Sequence, residues 1–319
     1  MTTVLITGGT GMIGKVLTKE LLARNYRVII LTRDQKISNR PAPISNLVYS
    51  NWDIEKQTID NSVIQQADYI IHLAGAGIAD HRWTEKRKKE IVDSRVKSSE
   101  LIIKALKQNP NKVKAVVSAS AIGWYGTDPV IPNPKPFTEI DEADESFLGE
   151  TCKLWESSIE PVAGQGIRLV KLRTGIVLSN EGGALKEFKK PLRFGISAIL
   201  SNGRQVVSWI HIDDLVQAYI YALQNENMHG VYNAVAPNPV PNKKLILQMG
   251  KKIKGSFFIP VHVPSLLLEF MLGDMSIEIL KSTTVSCNKI LAAGFIFIYP
   301  TIAAALLNLR ETADVSREA

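Results

Sequence analysis

Three glycines at every third position, Gly8, Gly11 and Gly14, carry the strongest chemical signal in the chain. The apolar run Val4–Ile6 leads into them. An amphipathic pattern follows, in which Met12, Ile13, Val16, Leu17, Leu21 and Leu22 share one face at helical spacing. Strand, glycine turn and helix in this order suit a dinucleotide pyrophosphate. The first glycine permits a tight turn, the second lets phosphates approach the backbone, and the third lets the helix pack closely on the strand. The phosphate charge then rests on free N–H groups at the helix N-terminus. The expected contacts are Gly8, Thr10, Gly11, Met12, Ile13 and Gly14.

Arg33 closes the second apolar run, Val28–Leu31. An acidic residue there would bond the adenosine ribose 2′-hydroxyl of NAD; a cation suits the 2′-phosphate of NADP. Asp34 beside it blurs that signal. The expectation is NADP, with NAD as the lesser alternative. Leu73, Ala74 and Gly75 end a further apolar run, and small residues there would let the cofactor ribose pass close to the backbone. His72, inside that run, reads as a core histidine.

These positions need a frame. Short apolar runs (Val28–Leu31, Leu47–Ser50, Tyr69–Leu73, Val113–Ser118, Ile167–Leu172) alternate with helical patterns, the longest from about Thr84 to Lys107. That alternation predicts an α/β fold, a doubly wound parallel sheet with helices on both faces. Thr127 to Ser146 is a long polar loop. Further on, Leu215–Leu223 and Leu245–Ile253 read as helices, the first capped by Asp213 or Asp214. Ile290–Leu309 is apolar but interrupted by Gly294, Pro300 and Asn308. A strand over Phe295–Tyr299 and a short helix over Thr301–Leu309 fit it better than a membrane span.

The chain has 319 residues, 45% hydrophobic and 22% charged, which is ordinary globular composition. Net charge is +7 and the pI about 9.2. The densest basic patch, Glu85–Glu90, lies on the long helix and reads as a solvated face rather than a nucleic-acid site. Two cysteines, Cys152 and Cys287, exclude a disulfide framework and argue against structural zinc. The N-terminus enters a strand directly and has no signal-peptide pattern, so the expected location is cytoplasmic. Expected partners are a small-molecule substrate of anionic character, without nucleic acid or membrane; a homo-oligomer is compatible with the composition.

Five passages together resemble the extended short-chain dehydrogenase/reductase superfamily, and within it the YfcH-like group of sugar-nucleotide epimerases. They are Thr7–Gly14, His72–Gly77, Ser118–Gly126, Trp209–Asp214 and the tail motif Ala293–Phe297. The resemblance implies a Rossmann domain over 1–175 that also takes in about 205–235. A smaller substrate lobe over 176–204 and 236–319 would complete it. Asp53, after the third strand, would contact the adenine. Ser120 matches the superfamily's catalytic serine and Lys153 its lysine, which lowers the pKa of a tyrosine four residues earlier and can also bond the nicotinamide ribose. That tyrosine position is Gly149. Tyr125 is the nearest substitute, either a phenol reaching the substrate or an aromatic packed beside Trp124. Arg173, Arg204 and His211 could meet an anionic substrate or serve the surface. Trp83, Trp124 and Trp209 read as core.

The expected function is an NADP(H)-binding oxidoreductase or nucleotide-sugar epimerase acting on a small polar substrate. The alternative is a non-catalytic NADP-binding regulator or scaffold, which Gly149 favours.

Overall fold

In the computed structural model, which describes residues 1–38 and 44–309, the apolar runs assemble into one principal sheet. Strands β1 (Thr3–Thr7), β2 (Arg27–Thr32), β3 (Leu47–Asp53), β4 (Thr58–Ile59), β5 (Tyr69–His72), β6 (Ala115–Ala121) and β7 (Arg168–Thr174) come first in the chain. The second half adds β8 (Ile176–Leu178), β9 (Ile196–Leu200), β10 (Val206–Val207), β11 (Trp209–His211), β12 (Gly230–Ala234), β13 (Val240–Pro241) and β14 (Ile259–Val263). The sheet order is β12-β7-β6-β5-β1-β2-β3-β4, parallel except for β4. The order reverses between β1 and β5. Ligands of such sheets bind in the crevice at the carboxyl ends of the strands at that switch point.

The α-helices are α1 (Met12–Ala23), α2 (Gln35–Ser38), α3 (Asn61–Gln66), α4 (Glu85–Gln108), α5 (Phe147–Ile159), α6 (Gly183–Leu192), α7 (Ile212–Gln224), α8 (Asn242–Lys254), α9 (Ser265–Leu272), α10 (Met275–Leu280) and α11 (Asn288–Ala292), and residues 302–309 are helical as well, as expected for that stretch. Strand side chains alternate between two cores. Val4, Ile6, Val28, Ile30 and Val117 pack with Leu17 and Leu21 of α1 and with Leu215 and Tyr219 of α7. Leu5, Ile29, Ile70 and Val116 pack on the other face, with Ile64 of α3 and Leu101 and Ile102 of α4. Both faces are covered, which is why the strands read as continuous apolar runs. A third core joins Leu178, Leu185, Trp209, Leu245, Ile302 and Leu306.

The long loop 127–146 is stitched to the C-terminal segment by one buried carboxylate. Asp128 accepts hydrogen bonds from the Ser282 and Thr284 hydroxyls, the Thr284 N–H and the Asn133 amide.

Two local expectations are corrected. Residues 295–299 form no strand; Phe295 and Phe297 are buried while Ile296 and Ile298 face solvent. The backbone there is satisfied by a side chain instead of a neighbouring strand. Asp214 accepts from Ile298 N at 2.6 Å and Tyr299 N at 3.0 Å. The cap of α7 is accordingly His211, whose Nδ1 accepts from Asp213 N. No helix among the described residues is long and apolar enough to cross a membrane.

His72 sits at the end of β5, fully buried. Thr7 Oγ1 accepts the Leu73 and Ala74 N–H groups and so donates its own proton to His72 Nδ1 at 2.8 Å. Ser99 donates to Arg95 O, so His72 Nε2 carries the ring proton and donates to Ser99 at 3.2 Å. The ring is neutral, and burial lowers its pKa from 6.5 to about 4. The unfolded chain binds this proton below pH 6.5 and the folded chain does not. Stability is therefore full above pH 6.5 and falls as pH drops toward 4, by about 3 kcal/mol from this residue. Urea unfolding of wild type and His72→Asn at pH 7 and pH 4.5 checks it: the variant should show the shallower fall, and identical pH profiles would refute it.

Candidate dinucleotide and substrate site

The glycine turn between β1 and α1 is dictated by close contacts. Gly8 has φ +69°, and a Cβ there would meet Leu73 O at 2.8 Å. A Cβ at Gly14 would overlap Gly8 O and Gly9 Cα. These two glycines serve the packing of strand against helix. Gly11 differs: its Cβ would meet Gly8 O at 3.3 Å and nothing else within 4 Å, so that position opens outward. No side chain caps α1 and no acidic residue lies in its first turn. The donors after Gly11 are open to an anion, and the turn fits a pyrophosphate. Thr10 and Gly11 are exposed, while Met12 and Ile13 are half-buried. The Met12 thioether lies against the Gly182–Gly183 turn that begins α6.

Arg33 and Asp53, at the ends of β2 and β3, line one cleft of about 510 Å³ with Lys86, Lys89, Asp93 and Lys97 of α4. Lys89 pairs with Asp93 at 2.7 Å and Lys97 with Glu55 at 2.8 Å. Arg33 and Lys86 form no ion pair among the described residues. Asp34 turns away to start α2, accepting Lys36 N at 2.8 Å. The Asp53 carboxylate accepts Lys56 N at 2.9 Å. Leu73 and Ala74 are held by Thr7 Oγ1 beside Gly8. Gly75 has another reason to be glycine: its Cβ would lie 3.2 Å from the Arg95 guanidinium carbon.

The sequence-matched catalytic residues are not brought together. Lys153 lies on the outer face of α5, its side chain 58% exposed, and faces Glu150 at 3.7 Å. A side chain at Gly149 would overlap Asp144 O, so no tyrosine fits there. The α5 residues that face the end of β6 lie one position earlier. A Cβ at Gly123 would lie 3.2 Å from Leu148 Cβ and 3.7 Å from Cys152 Sγ, and the thiol donates to Ala121 O at 3.6 Å. An isobutyl group and a thiol occupy that four-residue spacing. Burial pushes the Cys152 thiol up to about 12, so it stays protonated.

Tyr125 is buried and stacked on Phe137. Its hydroxyl donates to Asn233 Oδ1 at 2.7 Å and accepts from Arg173 Nη1 at 3.0 Å. Burial pushes the phenol up to about 12, against the opposing pull of Arg173. Arg173 does not present a free cation: it grips Glu156 through Nε (2.7 Å) and Nη2 (3.1 Å), with Trp124 3.6 Å from the guanidinium carbon. Ser120 donates to the same carboxylate at 2.7 Å. Glu156 is the residue that sequence reasoning missed; its only signal was an acid at a buried helical phase. His211 packs on Tyr299 and burial lowers its pKa to about 4, while Arg204 is exposed. Trp83 and Trp209 are core residues.

Residues 4–147 match the NAD dependent epimerase/dehydratase family, and 263–309 match a domain of unknown function, DUF1731. An epimerase family protein of Staphylococcus aureus is 36% identical over 308 residues, 96% of this chain and 98% of that one. The crystal structure of human epimerase family protein SDR39U1 with NADPH is 29% identical, with TM-score 0.84 over 97% of this chain and 99% of that one. A nucleoside-diphosphate sugar epimerase from Corynebacterium glutamicum is 28% identical, with TM-score 0.74 over 99% of this chain and 60% of that one.

Two outcomes follow from the site. Gly11→Val should abolish dinucleotide binding by calorimetry while melting near wild type, whereas Gly14→Val should fail to fold; equal melting temperatures for the two variants would contradict the division of roles. Tyr125→Phe should cost about 1–3 kcal/mol in urea unfolding, because it leaves Asn233 and Arg173 short of a buried partner. Dinucleotide affinity should not change, and a variant of undiminished stability would show that the phenol holds nothing.

Proposed function

The chain belongs to the NAD dependent epimerase/dehydratase family, and from that premise we propose that it binds NADP(H) and catalyses oxidoreduction or epimerisation of a small, polar, anionic substrate. The observation that carries the reading is the outward-opening glycine turn at an uncapped helix, together with a cleft at the ends of β2 and β3 where Arg33 forms no ion pair among the described residues. Arg33, with Lys86 near it, would meet the 2′-phosphate; Gly11, Met12 and Ile13 would hold the pyrophosphate; Asp53 would face the adenine. The dinucleotide would occupy residues 1–175 with about 205–235. Residues 176–204 and 236–309 would cover the substrate; the lobe's last residues, 310–319, lie outside the described residues.

The cofactor, when bound, supplies or accepts hydride at nicotinamide C4. The chain's part is orientation and proton control. Because Ser120 donates to Glu156, its oxygen offers lone pairs to a substrate hydroxyl. The second reading, a non-catalytic NADP-binding regulator, draws support from Leu148 and Cys152 standing where α5 meets the end of β6. Steady oxidation of NADPH by purified protein with any member of a carbonyl or sugar-nucleotide panel supports the enzyme; binding without turnover across the panel supports the regulator.

Arg33→Ala should weaken NADPH by roughly tenfold or more and leave NADH nearly unchanged, since a charge-assisted contact contributes about 1.5–3 kcal/mol. Calorimetric titration with both cofactors reads this out, and equal losses would exclude a 2′-phosphate contact.

A further inference from the structure

Arg95, on the inner side of α4, is a cation without a counter-charge among the described residues. Its Nη1 donates to Ala76 O at 3.1 Å and Ile91 O at 2.8 Å. The guanidinium lies over the Trp155 ring, 4.8 Å from its centroid, and fills the space that a Gly75 side chain would take. No carboxylate pairs with it among the described residues. Burial lowers its pKa to about 10, so it remains charged at neutral pH. Nη1 is committed to two carbonyls; Nε and Nη2 bond no described residue.

A partly buried guanidinium is costly unless something accepts its remaining protons. Arginine presents them as a rigid fork suited to a pair of oxygens. The position narrows what those oxygens belong to. Arg95 sits against Gly75 and Ala76, at the carboxyl end of β5 beside the switch point, and reaches α5 through the Trp155 ring. Cys152 is the α5 residue that faces the end of β6, where Lys153 was expected and does not reach. The pyrophosphate turn lies on the other side of Leu73 and Ala74.

We infer that Arg95 supplies the cation at the reaction centre, its Nε–Nη2 edge donating to the hydroxyls of the nicotinamide ribose. A guanidinium from α4 thus takes the place of an ammonium from α5. The inference rests on the dinucleotide reading above.

The test compares two probes on the full chain by calorimetry: NADP⁺, which contains the nicotinamide ribose, and adenosine 2′,5′-bisphosphate, which lacks it. Arg95→Met keeps an apolar stem against Trp155. It should weaken NADP⁺ by about tenfold or more, the loss of a charge-assisted contact, and leave the bisphosphate within about twofold. Adding Cys152→Lys to that variant should recover most of the lost NADP⁺ affinity. Should Arg95→Met not fold, Arg95→Lys, which keeps the charge without the fork, gives the same comparison with a smaller loss. Unchanged NADP⁺ affinity, equal weakening of both probes, or no recovery with Cys152→Lys would overturn the assignment. If wild type binds neither probe, the dinucleotide reading itself has failed; if it binds both, only Arg95 is at issue.

Discussion

The carboxyl edge of the sheet depends on one buried ion pair. Arg173 of β7 and Glu156 of α5 are both nearly inaccessible to solvent, and burying them carries a desolvation penalty that Coulomb attraction alone does not cover. It is offset because the hydrogen-bonding capacity is used. Glu156 takes two donors from Arg173 and one from Ser120; Arg173 adds Tyr125 and is covered by Trp124. Tyr125 passes the network to Asn233 of β12, and Asn233 passes it to Ser286 O. One pair therefore joins two central strands, a flanking helix, the sheet's edge strand and the C-terminal segment. Removing Glu156 would leave Arg173 buried with no ion-pair partner among the described residues, a cost of about 3–5 kcal/mol; removing Arg173 would leave Glu156 only Lys171, at 3.9 Å. The same network sets Ser120 as a donor toward Glu156, so its role toward a substrate is set by the packing.

The sheet's strands and the glycine turn were legible in the sequence because their signals are local. Continuous apolar runs mark strands buried on both faces, and the contacts of Gly11 and Gly14 fall within the turn itself, although Gly8 also meets the distant Leu73. Arg33 and Asp53 were legible as strand-end residues for the same reason, and both line one cleft. What escaped depends on residues far apart in the chain. Nothing near Glu156 announces its bond to Ser120, 36 residues earlier. Arg95 lies among Lys89, Asp93 and Lys97, which do form a solvated face, and only the helix phase separates it from them. The run Phe295–Tyr299 alternates like a strand, but its hydrogen-bond partner is a carboxylate, which periodicity does not report.

The misassigned lysine has a simple geometric cause. One residue along an α-helix is about 100° of rotation, so an offset of one turns a side chain from the sheet toward solvent. Residues 149 and 153 have the four-residue spacing that the resemblance calls for, and so do 148 and 152. The close packing of Gly149 on Asp144 O decides between them, fixing α5 with Leu148 and Cys152 inward. A cation at this end of the sheet must then come from a different helix, and α4 carries one.

Gly75 and Arg95 occupy the same volume, twenty residues apart in the chain. A Cβ at 75 would lie 3.2 Å from the guanidinium carbon and 3.4 Å from Nε, so even alanine asks the guanidinium to give by a few tenths of an ångström. The two positions are coupled: the larger the residue at 75, the further the arginine must move from its place over Trp155. Across descendants of this fold the two should be inherited as a unit, making the dipeptide step after β5 a record of which helix supplies the charge.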